Sequence, residues 1–504
     1  MVACDFPTTS VSSAIPSIDS SITSSQETTS IEPELLYWNL VWADEFDYEG
    51  LPNPDKWSYD VGGGGWGNNE LQYYTNADLD NASVANGNLT ITARKENIQN
   101  REYSSARLVT KNKGDFLYGR MEAKAKLPSG RGTWPAIWML PTDWVYGGWP
   151  TSGEIDIMEH VGYDPNVVHA TIHTETYNHS RGTQVGESLT LSNVFDNYHT
   201  YAIEWEPGVI RAFINETQYA TFVFDVDDIE NGPSHLAWPF DQDFHFIFNI
   251  AVGGNWGGVQ GVDTNIFPTS MVVDYVRVYQ KAYAEGDDIE PTPVSNVVLK
   301  KATPNSVALS WDPSQDNRMV KEYIVRMNGV IRARTSVPAV YLANLLPDMT
   351  YDVQITAVDF NNNLSSPVTF SATTGGYASI NDRIEAEAYL TQEGVRFEPT
   401  TDVGGGDNAG WLNVGDYLEY GLQIPNQGNY RLELRTAGNT SSGQIQMFAN
   451  QTLKTTVDLP ITGGWQVWQT VTSDPFSLNA GLNTIKLQVT REGFNLNYFR
   501  IIPS

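Results

Sequence analysis

The chain is predicted to be all-β, built as three consecutive β-sandwiches behind an unstructured N-terminal tether. Three observations carry this. Short alternating or aromatic runs recur between Gly, Pro, Asn and Asp, no long stretch sustains a helical period, and the texture changes at an acidic Pro-containing linker and again at Gly375-Gly376. A length of 504 residues also exceeds what one core supports, since domains run to roughly 100–200 residues.

The tether is predicted over residues 1–34. From Thr8 to Ser30, 14 of 23 residues are Ser or Thr, a composition that cannot bury a core. Residues 35–281 form the first sandwich, with strands such as Asn88–Ala93, Gly119–Ala125 and Phe244–Ile250, in which every second residue faces one side. Eleven of the 15 tryptophans fall between Trp38 and Trp256, more than a core needs, so some must line a surface. The second sandwich covers 292–374 and the third 380–504.

Charge and composition exclude several functions. Acids outnumber bases 60 to 30, giving a net charge of −30, which argues against nucleic acid, whose binding needs clustered Lys and Arg. No stretch approaches the roughly 20 apolar residues of a membrane span. The single cysteine, Cys4, allows neither an intrachain disulfide nor a Cys-based zinc site, and none of the seven histidines falls in a His-Glu-x-x-His pattern.

The chemistry is concentrated in Gly153-Glu-Ile-Asp-Ile-Met-Glu-His160. Glu154 and Asp156 share a face by period two, whereas Glu159, five residues from Glu154, would point the wrong way in a regular strand. A β-bulge near Ile157 or Met158 would return it to that face. Two glutamates and an aspartate beside stacking aromatics suit glycosidic bond cleavage, in which one carboxylate attacks and the other exchanges a proton. Read from residues alone, the cluster equally suits a hard cation such as calcium.

Glu154-Ile-Asp-Ile-Met-Glu159 resembles the signature of glycoside hydrolase family 16 in its bulged, laminarinase-type form. Further resemblance lies in Gly65-Trp-Gly-Asn-Asn-Glu-Leu-Gln-Tyr-Tyr-Thr75, Ser105-Ala-Arg-Leu-Val-Thr110, Gly132-Thr-Trp-Pro-Ala-Ile-Trp-Met-Leu140 and Asn249-Ile-Ala-Val-Gly-Gly-Asn-Trp256. It implies a β-jelly-roll and a retaining endo-hydrolase of β-1,3-glucan, with mixed 1,3/1,4-glucan as a further substrate, with Glu154 as nucleophile, Glu159 as acid/base and Asp156 assisting. Sugar contacts are implied at Asn68, Arg107, Trp134, Trp138 and Trp256, and a hydrogen-bonding role near Glu159 for His173. A structural calcium is implied at Glu45, Gly87 and Asp274. The alternatives are a family 16 hydrolase of an algal galactan, and a non-catalytic glucan-binding protein, whose usual mark is loss of the two glutamates.

Val307-Ala-Leu-Ser-Trp311 and Leu345-Leu-Pro-Asp-Met-Thr-Tyr351 resemble a fibronectin type III domain, an Ig-like sandwich expected here to space its neighbours. Arg383-Ile-Glu-Ala-Glu-Ala-Tyr389, Val414-Gly-Asp-Tyr-Leu-Glu-Tyr420, Gly463-Gly-Trp-Gln-Val-Trp468 and Gly493-Phe-Asn-Leu-Asn-Tyr-Phe499 resemble a family 6 carbohydrate-binding module. That likeness implies sugar stacking between Trp411 and Trp465, a hydrogen bond from Asn495, and calcium at Glu385 and Glu387. Met1-Val-Ala-Cys4 looks like the tail of a bacterial lipoprotein signal, so a lipid anchor on Cys4 and a secreted or cell-surface location, such as a bacterial outer membrane, are expected, with a monomeric chain.

Overall fold

A computed structural model of the chain describes residues 38–281 and 287–504. The expected tether over 1–34, with Cys4, lies outside the described residues. Apart from two short 3-10 turns, Val226–Asn231 and Ser234–Leu236, the regular elements are strands.

Two sheets build the first sandwich. The ten-stranded one runs Thr217–Val223, Val209–Ile214, His199–Glu206, Gly119–Lys126, Thr269–Lys281, Asn88–Ile98, Arg101–Ser105, Gln72–Tyr74, with two further strands attached. The eight-stranded one runs Val185–Thr190, Val167–His173, Glu154–Glu159, Thr133–Pro141, Phe244–Val252, Arg107–Val109, Ser58–Tyr59, with Asp115–Phe116 added beside Phe244–Val252. The Phe244–Val252 strand is buried along its whole length. Its even-numbered residues Phe244, Phe246 and Phe248 enter the core with Trp57 and Trp205, while Asn249 turns to the other face, toward Trp138. Fully burying one such aromatic is worth roughly 1.5–3 kcal/mol, so this strand anchors the sheet that carries the carboxylates.

The predicted bulge is present. Against Val167–His173, Asp156 pairs with Thr171 but Glu159 pairs with His169, so the carboxylate strand carries one extra residue. Against Thr133–Pro141, Met158 pairs with Ile137 and Asp156 with Trp138, leaving Ile157 unpaired. Ile155, Ile157 and Met158 all enter the core, at 1%, 1% and 0% exposure. Two consecutive side chains pointing inward are what allow Glu159 to point out again.

The second sandwich has sheets of three and four strands, with Trp311 edge-on to Tyr323 in its core. The backbone N–H of Leu346 donates to the Tyr351 hydroxyl at 2.8 Å, a corner that pins the strand from Thr350 to Asp359. This domain does more than space its neighbours: Ala308, Val337 and Ala339 share one apolar cluster with the first sandwich, and Phe360 lies edge-on to Tyr118 at 6.3 Å. The third sandwich, of six- and seven-stranded sheets, closes over Tyr420, Phe494 and Phe499.

Candidate active site

Adjacent strands of the eight-stranded sheet bring the site together by register. Glu154 lies opposite His173, Glu159 opposite His169, Trp138 opposite Asp156, and Asn249 opposite Arg107. Residues far apart in sequence thus share one face because their strands are neighbours and their parity agrees.

Each glutamate has its own indole donor. Trp134 Nε1 donates to Glu159 Oε1 at 2.9 Å, and Trp149 Nε1 donates to Glu154 Oε2 at 2.8 Å. Between them Asp156, 2% exposed, has its Oδ2 3.4 Å from His173 Nε2, which is 3.9 Å from Glu154 Oε1. His173 therefore sits closest to Asp156 and Glu154, whereas His169 is the histidine opposite Glu159, which corrects the expected placement. His173 faces Glu154 in the regular part of the ladder, and the bulge decides only that Glu159 meets His169.

Burial, then repulsion from Asp156, pushes the Glu154 carboxyl up to about 8. Burial and the charge of Glu154 push Glu159 up to about 7, against the lowering effect of the Trp134 hydrogen bond. Asp156 is raised well above the usual carboxylate range by burial and by Glu159. Three carboxyls so close titrate as one system, and the proton count belongs to the cluster. When Asp156 holds a proton, its repulsion on Glu154 disappears and Glu154 ionises more readily.

A wall of aromatic and cationic groups extends from the carboxylates. The Arg107 guanidinium lies 4.7 Å from both the Trp66 and the Trp138 rings, sandwiched between them, and its Nε donates to Asp60 at 3.0 Å. Trp138 Nε1 donates to Asn249 Oδ1 at 2.7 Å, and Asn249 Nδ2 donates to the Tyr74 hydroxyl at 3.0 Å. Trp256 meets Trp134 edge-on at 5.4 Å and His169 at 5.1 Å. The Asn68 carbonyl accepts from the Asn255 backbone N–H at 2.7 Å, which joins the Gly65–Thr75 segment to the loop bearing Trp256.

The family model for glycosyl hydrolases family 16 matches residues 69–276. A β-glucanase of Rhodothermus marinus is 59% identical over 247 residues, covering 48% of this chain and 86% of that protein. The chain belongs to glycosyl hydrolase family 16. The clotting factor G alpha subunit of Tachypleus tridentatus is 32% identical over 530 residues, covering 92% of this chain and 76% of that protein. The laminarinase of Rhodothermus marinus, solved by X-ray, matches with 56% identity, 50% of this chain, 100% of that chain and a TM-score of 0.48. The fibronectin type III and family 6 carbohydrate binding module models match residues 292–371 and 385–503.

Glu154, Asp156 and His173 also lie close enough together to hold a metal. Trp66, Glu70, Trp149 and His179 join the site without having been singled out in the sequence. Trp149 sits in Gly147-Gly-Trp-Pro150, just before the carboxylate strand, and an aromatic in such a Gly/Pro loop was the available signal. His179 lies 5.0 Å from Trp149 and 5.2 Å from His173. Glu70 accepts from Gln72 at 2.6 Å and from the Tyr74 hydroxyl at 3.3 Å, and burial raises its carboxyl above the ordinary value.

In the carbohydrate-binding module Trp411 and Trp465 are 56% and 43% exposed, as stacking platforms require. Asn495 is buried and donates to Glu398 Oε1 at 2.8 Å and to the Trp465 carbonyl at 3.0 Å. Glu398, also missed in the sequence, accepts from Asn408 and Gln466 as well. The two expected calcium sets differ. Glu385 Oε1 pairs with Arg383 at 2.5 Å, but Glu385 Oε2 and Glu387 Oε2 are sealed from solvent without a hydrogen bond, and these two free oxygens fit a hard cation. Glu45 instead accepts two hydrogen bonds from Arg277, at 2.7 and 2.8 Å, and Asp274 pairs with Lys124 at 2.7 Å. With both carboxylates matched by protein cations, the Glu45, Gly87 and Asp274 set does not fit the ion as arranged here.

Proposed function

We propose that the chain is a retaining endo-hydrolase of β-1,3-glucosidic bonds, acting on laminarin-type glucans and on mixed 1,3/1,4-glucans. The observation that carries this reading is the bulged strand, which sets Glu154 and Glu159 on one face, each held by its own indole N–H beside an aromatic wall. Glu154 attacks the anomeric carbon while Glu159 protonates the departing oxygen; Glu159 then deprotonates water, which releases the glycosyl ester from Glu154. Asp156 and His173 position Glu154 and hold the cluster's protons. Arg107, Trp66, Trp138 and Trp256 line the sugar path, with Asn68 at its edge and Trp134 orienting the acid. The names borne by the relatives support β-glucan as the substrate class.

The module at 385–503 would hold a glucan segment between Trp411 and Trp465, with Glu398 and Asn495 addressing hydroxyls and calcium bracing Glu385 and Glu387. A polymeric substrate suits a monomeric enzyme working outside the cell, with a lipid on Cys4 as its anchor. The test is product release and anomeric configuration on laminarin, barley mixed-linkage glucan, agarose and κ-carrageenan. Rapid release of short β-anomers from laminarin, abolished in Glu154→Ser and strongly reduced in Glu159→Gln, is expected. Cleavage of the galactans alone, or activity surviving in Glu154→Ser, would overturn the proposal.

A further inference from the structure

At the joint between the hydrolase and the fibronectin type III domain, three aspartates from three separate chain segments converge. Asp287 lies in the linker after the Thr269–Lys281 strand, Asp316 in the loop between Ser306–Asp312 and Val320–Met327, and Asp359 at the end of Thr350–Asp359. Each offers a carboxylate oxygen within 4.8 Å of the others. Two oxygens bound to one calcium at about 2.4 Å can be no further apart than that.

The cluster is built rather than incidental. The other oxygens of these side chains are fixed by backbone donors: Asp316 Oδ2 accepts from the N–H groups of Arg318 and Met319 at 2.9 and 3.0 Å, Asp287 Oδ1 from Ile289 N–H at 3.1 Å, and Asp359 Oδ1 from Asn363 N–H at 2.8 Å. The Asn363 amide also donates to Asp359 Oδ2 and to the Asp287 carbonyl. Three remaining oxygens, Asp287 Oδ2, Asp316 Oδ1 and Asn317 Oδ1, are sealed from solvent and accept no hydrogen bond. The Asp287 side chain is only 2% exposed. The one protein cation among the described contacts is Arg318, whose Nε lies 3.4 Å from Asp287 Oδ2, outside hydrogen-bond geometry. One guanidinium against three carboxylates leaves negative charge in a place where water does not reach, and buried acceptors of this kind call for a ligand.

We propose that Asp287, Asp316 and Asp359, with the side-chain oxygen of Asn317, form a calcium site that clamps the interdomain linker to two loops of the fibronectin type III domain. An all-oxygen set drawn from separate segments favours calcium, which accepts irregular geometry, over magnesium, which demands a near-ideal octahedron. The ion ties the linker down beside the apolar contact that Val337 and Phe360 make with the hydrolase, so the joint is held at two points.

The test uses the full chain, stripped with EGTA and titrated with calcium, alongside Asp316→Asn and Asp359→Asn. Glu385 and Glu387 are intact in every form, so binding in the module is common to all. The parent is expected to bind one more equivalent of calcium than either variant. Calcium is also expected to slow cleavage of its linker at Glu285 and Glu290 by a glutamate-specific protease at least tenfold, and to leave the variants' linker cleavage unchanged. Hydrogen exchange on the unmodified parent gives a readout free of any folding defect: peptides over 287–293 and 313–319 should gain protection with calcium. Equal stoichiometry in parent and variants, or a parent linker indifferent to calcium in both proteolysis and exchange, would overturn the proposal.

Discussion

Replacing Glu154 by Gln should stabilise the enzyme at alkaline pH while abolishing catalysis, and the size of the effect follows from the site. The folded carboxyl is raised from the ordinary 4.5 to about 8. A raised value means that the proton's contribution to stability is complete below about pH 4.5 and is lost as pH climbs through about 8. At ~1.36 kcal/mol for each tenfold change in proton affinity, the ceiling on that loss is about 5 kcal/mol. The side chain is 17% exposed, so water screens part of the charge and lowers the gain to about 2 kcal/mol at pH 9. For a domain of this size that corresponds to a melting transition higher by about 4–8 °C. At pH 4 the glutamate is protonated and the amide resembles it, so the two transitions should nearly coincide. Differential scanning calorimetry of parent and Glu154→Gln at pH 4, 7 and 9 reads the difference. A gap that is equal at pH 4 and 9, or a variant that melts lower at pH 9, would refute the charge-cluster account.

Other consequences are equally direct. Trp134→Phe removes the 2.9 Å hydrogen bond that favours ionised Glu159, so the alkaline limb of kcat/KM on laminarin should move upward and the maximum fall by about tenfold; an unmoved limb would show that Trp134 only stacks. Trp411→Ala with Trp465→Ala should weaken retention on insoluble glucan by at least about tenfold while leaving hydrolysis of soluble laminarin near the parent level. Deleting Ile157 restores a continuous ladder and keeps Glu154 and Glu159 on one face, so measurable activity should survive at a stability cost of about 2–4 kcal/mol for the lost core side chain.

The bulge shows why much of this site was legible in the sequence. Period-two parity is a local rule, so an odd offset between Glu154 and Glu159 forces an extra residue wherever both must face the same side. The paired aromatics Trp134 and Trp138 were readable for the same reason, being four apart on one strand. Partners across the sheet were not: that Trp149 would reach Glu154, or that Arg107 would slide between Trp66 and Trp138, depends on strand order and loop path, which no local pattern encodes. His173 illustrates the boundary. Its closeness to the acids was readable from a resemblance, yet which acid it meets depends on the register between two neighbouring strands, which no local pattern encodes.

Interfaces between domains were the least legible part, because they follow no internal period. Val337 and Ala339 carry no pattern that marks them as interface residues, yet they complete a cluster belonging to the neighbouring sandwich. Asp287, Asp316 and Asp359 are scattered over more than 70 residues, and each alone reads as a solvated loop acid. Only the fold places them together, and their convergence at the linker changes what the second domain is for. A free spacer would leave the carbohydrate-binding module to roam at the end of a flexible joint, raising local glucan concentration without choosing an approach. A joint fixed by apolar packing and by an ion makes the orientation of the second domain on the hydrolase a property of the chain. The double-tryptophan variant and the Asp316→Asn variant should therefore fail differently on insoluble glucan: the first loses retention, whereas the second retains the polymer but cuts it more slowly.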